Sequence, residues 1–381
     1  MTIPQPTHVA VIGGGIFGAS TAAQLVRRGV RVTLLTDAEL ASGASGRSLA
    51  WLNSAGFRSP EYHALRVAGI DRYRTWAARV AGSDAYLRFT GGLTWAAEGD
   101  SFAETYAYER SLGYDALWLQ ADEIAAVTPG VEPASVAAEG AIFNPGEGWV
   151  DLPALIRVLI DEVRASGGTV TTNAGDVRPL VESGRVVGVV TGAGDRMEAD
   201  AVVLATGPAV PEHLADLGVT VETQSPAAFV AFTKPVDVAL QAVLNTPRVA
   251  VRRTPDGGLA LDSAWSEEEI EVTASGELVV HDSTVERLFE EGSKVLAGNP
   301  KLELDHLGIG YKPIPGDGEP VIGAVEAIDG LYAAFSHSGA TLGLLTGELL
   351  AEEIVTGTPS PLLATFRPER FARDEALTSA H

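Results

Sequence analysis

An apolar run at residues 9–12 passes into Gly13-Gly14-Gly15-Ile16-Phe17-Gly18, small residues follow, and after Gly29 a second apolar run covers residues 30–35. The runs have the length of buried strands and the stretch between them that of a helix, so residues 8–37 predict strand, glycine turn, helix and strand. The G-x-G-x-x-G spacing has a physical reason in that setting. Gly13 permits the tight turn, Gly15 lets a pyrophosphate approach the backbone, and Gly18 lets helix and strand pack closely. The helix opening at Ile16 and Phe17 offers free N–H groups to a phosphate. Residues 9–26 are apolar enough to suggest a membrane span, but they hold four glycines with Ser20, Thr21 and Gln24, and no cationic cluster precedes them. They predict a Rossmann opening in a soluble protein, with no membrane insertion.

Beyond this unit, residues 60–81 place Leu65, Ile70, Tyr73, Trp76 and Ala77 at helical spacing. Short strands and helices mix from 83 to 144. Asp151 reads as the N-cap of a helix whose apolar face is Leu152, Leu155, Ile156, Leu159, Ile160 and Val163, closed by Gly167. Strands are expected at 169–173, 177–182 and 185–191, with Ser183-Gly184 as a hairpin turn. A buried strand at 201–204 ends in Ala205-Thr206-Gly207-Pro208. Residues 219–312 are β-rich, with runs at 249–253 and 259–262 about a Pro-Asp-Gly-Gly turn and a helix over 283–296. The α/β character then returns as a strand at 331–335, a glycine loop and a helix over 340–356. The fold class is therefore α/β. A discontinuous Rossmann-like nucleotide domain (1–82, 140–218 and 308–381) carries an inserted β-rich α+β substrate domain (83–139 and 219–307).

Composition narrows this picture. A chain of 381 residues with 46% hydrophobic and 20% charged content is globular and exceeds one compact core. The absence of cysteine excludes thiolate metal sites, disulfides and cysteinyl cofactor attachment, and no metal site is expected. A net charge of −23 argues against nucleic acid and anionic membranes as partners. With no export signal read, the cytoplasm is the expected compartment. The polar loop Ser42, Ser45, Gly46, Arg47 and Ser48 lies where the second strand returns the chain toward the phosphates, and it suits a diphosphate or flavin edge.

Three separated motifs stand together: the glycine turn with its Ser42–Ser48 loop, Ala205-Thr206-Gly207-Pro208, and the stretch GIGYKPIPGDGEPVIG…GLYAAFSHSGATLGLLTG from Gly308 to Gly347. Their combination resembles the D-amino-acid oxidase, glycine oxidase and sarcosine oxidase family of FAD-dependent amine oxidoreductases. The resemblance spans nearly the whole chain, closely in the FAD-binding parts and loosely in the inserted domain. It implies non-covalent FAD, with adenosine at the first βαβ unit and isoalloxazine between the domains. It also implies Thr36 and Asp37 at the ribose, the Val177 backbone at the adenine, and Ala205, Thr206 and Gly207 beside the cofactor. The N–H groups of Ser338, Gly339, Ala340, Thr341 and Leu342 would face the flavin, where a helix N-terminus stabilises developing negative charge. The implied reaction is hydride transfer from a small-molecule amine or amino acid to flavin N5, giving an imine, with oxygen or another acceptor reoxidising the flavin.

Two positions depart from the family pattern. Thr36 stands where a ribose-binding glutamate is usual. Lys312, in Gly310-Tyr311-Lys312-Pro313, stands where an arginine clamps the substrate carboxylate, so the site keeps a positive charge and loses the planar fork. Lys312, His337 and Arg252 are the candidate catalytic residues, with Arg253 a further possible anion clamp. His63 reads as a surface helix histidine. Three readings stay open beside amine oxidation: an FAD-dependent 2-hydroxyacid dehydrogenase, a nicotinamide-dependent dehydrogenase, and a flavin-fold subunit without catalysis.

Overall fold

The computed structural model describes residues 6–372. A six-stranded sheet runs in the order Val321–Ala324, Leu331–Phe335, Ala201–Leu204, His8–Ile12, Arg31–Leu35, Thr169–Thr171. All neighbours are parallel except the first pair, an antiparallel edge. The strands are apolar throughout because both faces are covered. Val9, Val11 and Val203 enter the core under the helices, while Ala10, Ile12, Val202 and Leu204 enter a second core on the opposite face.

One face carries the helices Ile16–Arg27, Leu152–Ala165 and Gly339–Thr356, with the long helix Pro60–Arg79 packed outside them. Asp151 caps its helix by accepting the Ala154 N–H at 2.8 Å. The apolar face read from the sequence is buried residue for residue. In the long helix Leu65, Ile70, Tyr73 and Trp76 are buried as the spacing predicts, whereas Ala77 faces solvent. The opposite face of the sheet is covered by the antiparallel strands Arg178–Glu182, Arg185–Val190 and Arg196–Glu198. Their first hairpin turns at Ser183 and Gly184 with φ of 52° and 76°, the left-handed pair that a two-residue turn demands.

An eight-stranded mixed sheet holds the third core. Its order is Leu304–Tyr311, Ala227–Thr233, Leu259–Asp262, Ala250–Arg253, Val243–Asn245, Gly92–Thr94, Ala141–Asn144, Leu117–Leu119, and the helix Asp282–Val295 packs behind it. The glycine turn brings the parallel sheet's C-terminal edge toward this second sheet. Gly13 adopts φ +120° and sits so near strand Ala201–Leu204 that a Cβ would stand 2.3 Å from the Ala205 carbonyl oxygen. A Cβ at Gly18 would stand 2.0 Å from the Gly13 oxygen, so only glycine lets the helix start that close to its strand. No described helix is long and apolar enough to cross a membrane.

The C-terminal segment is fastened by an ion pair. Arg367 donates to both oxygens of Glu353 at 2.7 Å, and Glu353 also accepts the Ala324 N–H at 3.3 Å. Glu353 is 3% exposed, so losing its partner would strand a buried carboxylate. Arg367→Met is expected to lower stability by about 3–5 kcal/mol, and adding Glu353→Gln should restore part of it. Urea denaturation of the two variants measures both.

Candidate functional site

A cavity of ≈ 1300 Å³ runs between the two sheets from the glycine turn to the far ends of the β-rich strands. Gly13, Gly15, Ile16, Phe17, Thr36, Asp37, Ser42, Ser45, Arg47 and Ser48 line one part of it. Val177, Ala205, Thr206, Gly207, Ser338, Gly339, Ala340 and Thr341 complete the wall expected for a dinucleotide, and Lys312 and His337 line the cavity as well.

Two helix N-termini open into this space. The helix Ile16–Arg27 has Gly15 as a side-chain-free N-cap, and of its first turn Ile16 donates to Ser45 Oγ at 3.1 Å. The helix Gly339–Thr356 starts at Ser338 and has no acidic residue in its first turn to offset its dipole. Its position is fixed from several sides. Tyr73 donates to the Ala340 carbonyl at 2.6 Å, Thr341 Oγ1 accepts the Asn53 N–H at 3.2 Å, and Ser338 Oγ lies 2.5 Å from the Tyr62 hydroxyl. Arg66 reaches the same Ser338 hydroxyl and binds Asn53 through its carbonyl and Oδ1 at 2.8 and 2.7 Å, which adds a cation beside the helix end.

These walls fit a dinucleotide. Thr206 Oγ1 is buried beside the cavity without a partner among the described residues, a group that a bound ligand would satisfy. A Cβ at Gly15 would meet Ser45 Oγ at 3.2 Å, which narrows the cradle at the helix end. Thr36 is 3% exposed and hydrogen-bonds Asp37 Oδ1 at 3.3 Å, so the exposed Asp37 carboxylate, beside Glu39, is the charged acceptor available to ribose hydroxyls.

Three of the expected cofactor contacts lie elsewhere. Gly18 sits beneath the turn. Gly46 faces a separate cavity of ≈ 530 Å³. Leu342 is fully buried with its side chain toward Gly69 of the long helix, because one residue of helical rotation turns it from the opening to the core. Arg252 also faces away from the main cavity, because successive strand residues point to opposite faces of the sheet. Its guanidinium donates to the Leu49 carbonyl and, at 2.8 Å, to that of Arg253, over the Trp149 ring. Burial lowers its pKa to about 10, and it serves as a buried strut. Arg253 likewise donates to the Val238 carbonyl. Arg47 lies on the cavity wall, yet its guanidinium is taken by the Ile309 carbonyl.

His63 is buried rather than on the surface. Its Nδ1 lies 2.9 Å from Ser54 Oγ, its ring meets Tyr114 edge-on, and burial lowers its pKa. His337 lines the cavity with an exposed side chain. Burial first, then the charges of Lys312, Arg66 and Arg58, push its pKa down to about 4, so the ring is neutral at pH 7. Lys312 is held by Glu267, with Nζ 2.5 and 2.6 Å from the two carboxylate oxygens. The sequence reading missed Glu267 because it lies on a separate element, the short helix Ala264–Glu267. Asp262, on the cavity wall, is pushed up to about 6 by burial and by Glu267 against the pull of Lys312 and Arg252.

Comparison with known proteins agrees with this architecture. The family described as FAD dependent oxidoreductase (DAO) matches residues 8–353. An uncharacterized oxidoreductase of Bacillus subtilis is 28% identical over 373 residues, 91% of this chain and 94% of that protein. The glycine oxidase of Pseudomonas aeruginosa is 27% identical over 360 residues, 91% and 94% of the two chains. Among solved structures, an L-amino acid deaminase from Proteus myxofaciens superposes with a TM-score of 0.83 at 19% identity, covering 97% of this chain and 95% of that one.

Gly15→Val should yield folded protein depleted of FAD, because the side chain intrudes where a diphosphate meets the helix end. The ratio of flavin to protein after gel filtration decides it, and full occupancy would locate the phosphates elsewhere. Asp262 titrates differently in the folded and unfolded chain. Its folded pKa is raised, so its contribution to stability is whole below the ordinary value of 3.8 and is lost as pH rises through about 6. Asp262→Asn should therefore flatten the melting temperature between about pH 4 and about pH 7 relative to the unmodified protein.

Proposed function

The chain belongs to the DAO family of FAD-dependent oxidoreductases, and from that premise we propose that it oxidises the carbon–nitrogen bond of a small amine or amino acid. The observation that carries this reading is the far end of the cavity. There the N-terminus of helix Gly339–Thr356, neutral His337 and the Lys312–Glu267 pair line the same cavity. The glycine oxidase name of a relative matched over nine-tenths of the chain supports the same substrate class.

Bound FAD supplies the two-electron acceptor. The glycine turn at Gly13 to Phe17 would hold its diphosphate, Asp37 its ribose, Val177 its adenine, and Ser338 to Thr341 with Arg66 its ring end. In the same reading His337 and Lys312 line the substrate space. His337 stays uncharged across neutral pH, so it can accept or donate a hydrogen bond without adding a cation. Lys312 holds the Glu267 carboxylate, which prevents that acid from standing alone in the site. Oxidation of a neutral amine asks for orientation and exclusion of water more than for a strong base, since the nitrogen lone pair helps expel the α-hydrogen with its electrons. The resulting imine is hydrolysed by water to a carbonyl compound, with release of ammonia from a primary amine or of the smaller amine from a secondary one.

The test is the absorption spectrum of the purified holoenzyme during anaerobic addition of primary amines, secondary amines, amino acids of both hands and 2-hydroxyacids. Bleaching of the flavin by a member of the amine set, with a carbonyl product, is the expected result. Bleaching by 2-hydroxyacids alone would replace this reading with carbon–oxygen oxidation, and no bleaching by any member would overturn it.

A further inference from the structure

We infer that Arg58 is the substrate-carboxylate clamp of this enzyme, taking the place that the sequence pattern assigns to Lys312. The inference rests on the proposed reading only in supposing that the substrate bears a carboxylate.

The argument starts from satisfaction of charge. Lys312 has both oxygens of Glu267, and Arg66 is bonded to Asn53 and Ser338. Arg58 faces the same end of the cavity with no ion pair and no side-chain hydrogen bond among the described residues, and its Nε is buried without a partner. Its guanidinium lies 5.9 Å from the centroid of the Tyr62 ring, and that of Arg66 lies 5.3 Å from the same centroid. Burial and then the Arg66 charge lower the Arg58 pKa, and a half-buried charge without an ion-pair partner is costly. An anionic ligand would satisfy both conditions.

The segment carrying Arg58 is firmly built. Ser54 donates to Tyr114 Oη at 3.0 Å and to Glu147 Oε1 at 3.1 Å, and Gly56 donates to Glu109 Oε1 at 2.6 Å. Tyr108 donates to the Arg58 carbonyl, and Ser59 caps the long helix by accepting the Tyr62 N–H at 3.2 Å. Glu147 and Glu109 act on the guanidinium without forming an ion pair with it. Burial pushes Glu147 up to about 8, leaving it protonated at neutral pH, and raises Glu109 as well. The site is thus a planar fork on the cavity wall with no ion-pair partner among the described residues, which matches a carboxylate in a two-point contact.

The experiment uses FAD-loaded enzyme and an unreactive pair of probes, 2-furoate and 2-furamide, which share a shape and differ in charge. Binding is followed by calorimetry and by the perturbation of the flavin spectrum. The unmodified enzyme should prefer 2-furoate. Arg58→Met should weaken 2-furoate about ten- to a hundredfold and leave 2-furamide unchanged, and Arg58→Lys should lose less. Lys312→Met should cost less than Arg58→Met, because its charge is already matched by Glu267. Arg58→Lys keeps the charge and tests the fork should the methionine variant not fold. The inference is overturned if the unmodified enzyme binds both probes alike, if the Arg58 variants bind 2-furoate normally or lose both probes equally, or if Lys312→Met takes the larger loss. Because no probe is oxidised, failure of the carbon–nitrogen reading would not alter these outcomes.

Discussion

The site depends on how closely the first and last helices of the nucleotide-binding layer approach each other. A Cβ at Gly347 would stand 2.2 Å from Ser20 Oγ, and one at Gly343 would stand 2.4 Å from Ile16 Cγ1. With side chains there, the two axes would separate and their N-termini could not both open into one cavity. Small residues at the crossing bring two partial positive charges to bear on different parts of one extended ligand. The long helix Pro60–Arg79 completes the arrangement by gripping the start of the last helix through Tyr62, Arg66 and Tyr73.

Much of this was legible in the sequence because it rests on local rules. The glycine turn, the Asp151 cap, the Ser183-Gly184 hairpin and the strand Leu331–Phe335 follow from spacing, a side chain that can cap, and a turn that tolerates positive φ. The cofactor wall was largely readable for the same reason, since motifs at strand ends lie where helices begin. The misplaced residues share a different cause. Arg252 and Leu342 lie on the right elements, but strand alternation and helix rotation turn their side chains away. His63 follows a loop whose burial against Tyr114 and Glu147 depends on partners from distant segments. Arg58 carries no motif. Its significance lies in having no partner, a property that only a folded structure can reveal.

Charge compensation separates the roles of the cavity's cations. Arg178, near the Val177 end, is shared among Asp176, Glu212 and Asp216. Arg47 is spent on a carbonyl and Lys312 on Glu267. These groups hold walls in place. Among the described residues Arg66 and Arg58 have no carboxylate ion pair, and they stand 5.3 and 5.9 Å from the centroid of the Tyr62 ring, at the end where redox chemistry would occur. A reduced flavin and a carboxylate-bearing substrate would both bring negative charge to that end. Two cations on one ring can serve them separately, Arg66 beside the helix N-terminus and Arg58 toward the substrate space.

The Arg-to-Lys exchange at position 312 then has a physical account. A lysine clasped by a carboxylate presents little net charge, and a compact ammonium can be satisfied by one acid where a guanidinium would leave donors free. Glu267 and Asp262 are tolerated in the wall because Lys312 and Arg252 lie close to them. Moving the free positive charge to Arg58 places it on the rigid segment before the long helix, which also positions Ser338 at the start of the last helix. Recognition of the acid end of a substrate and placement of the helix that faces the flavin would thereby depend on one element. Substitutions in the Asn53–Ser59 segment would then alter specificity without touching the glycine turn.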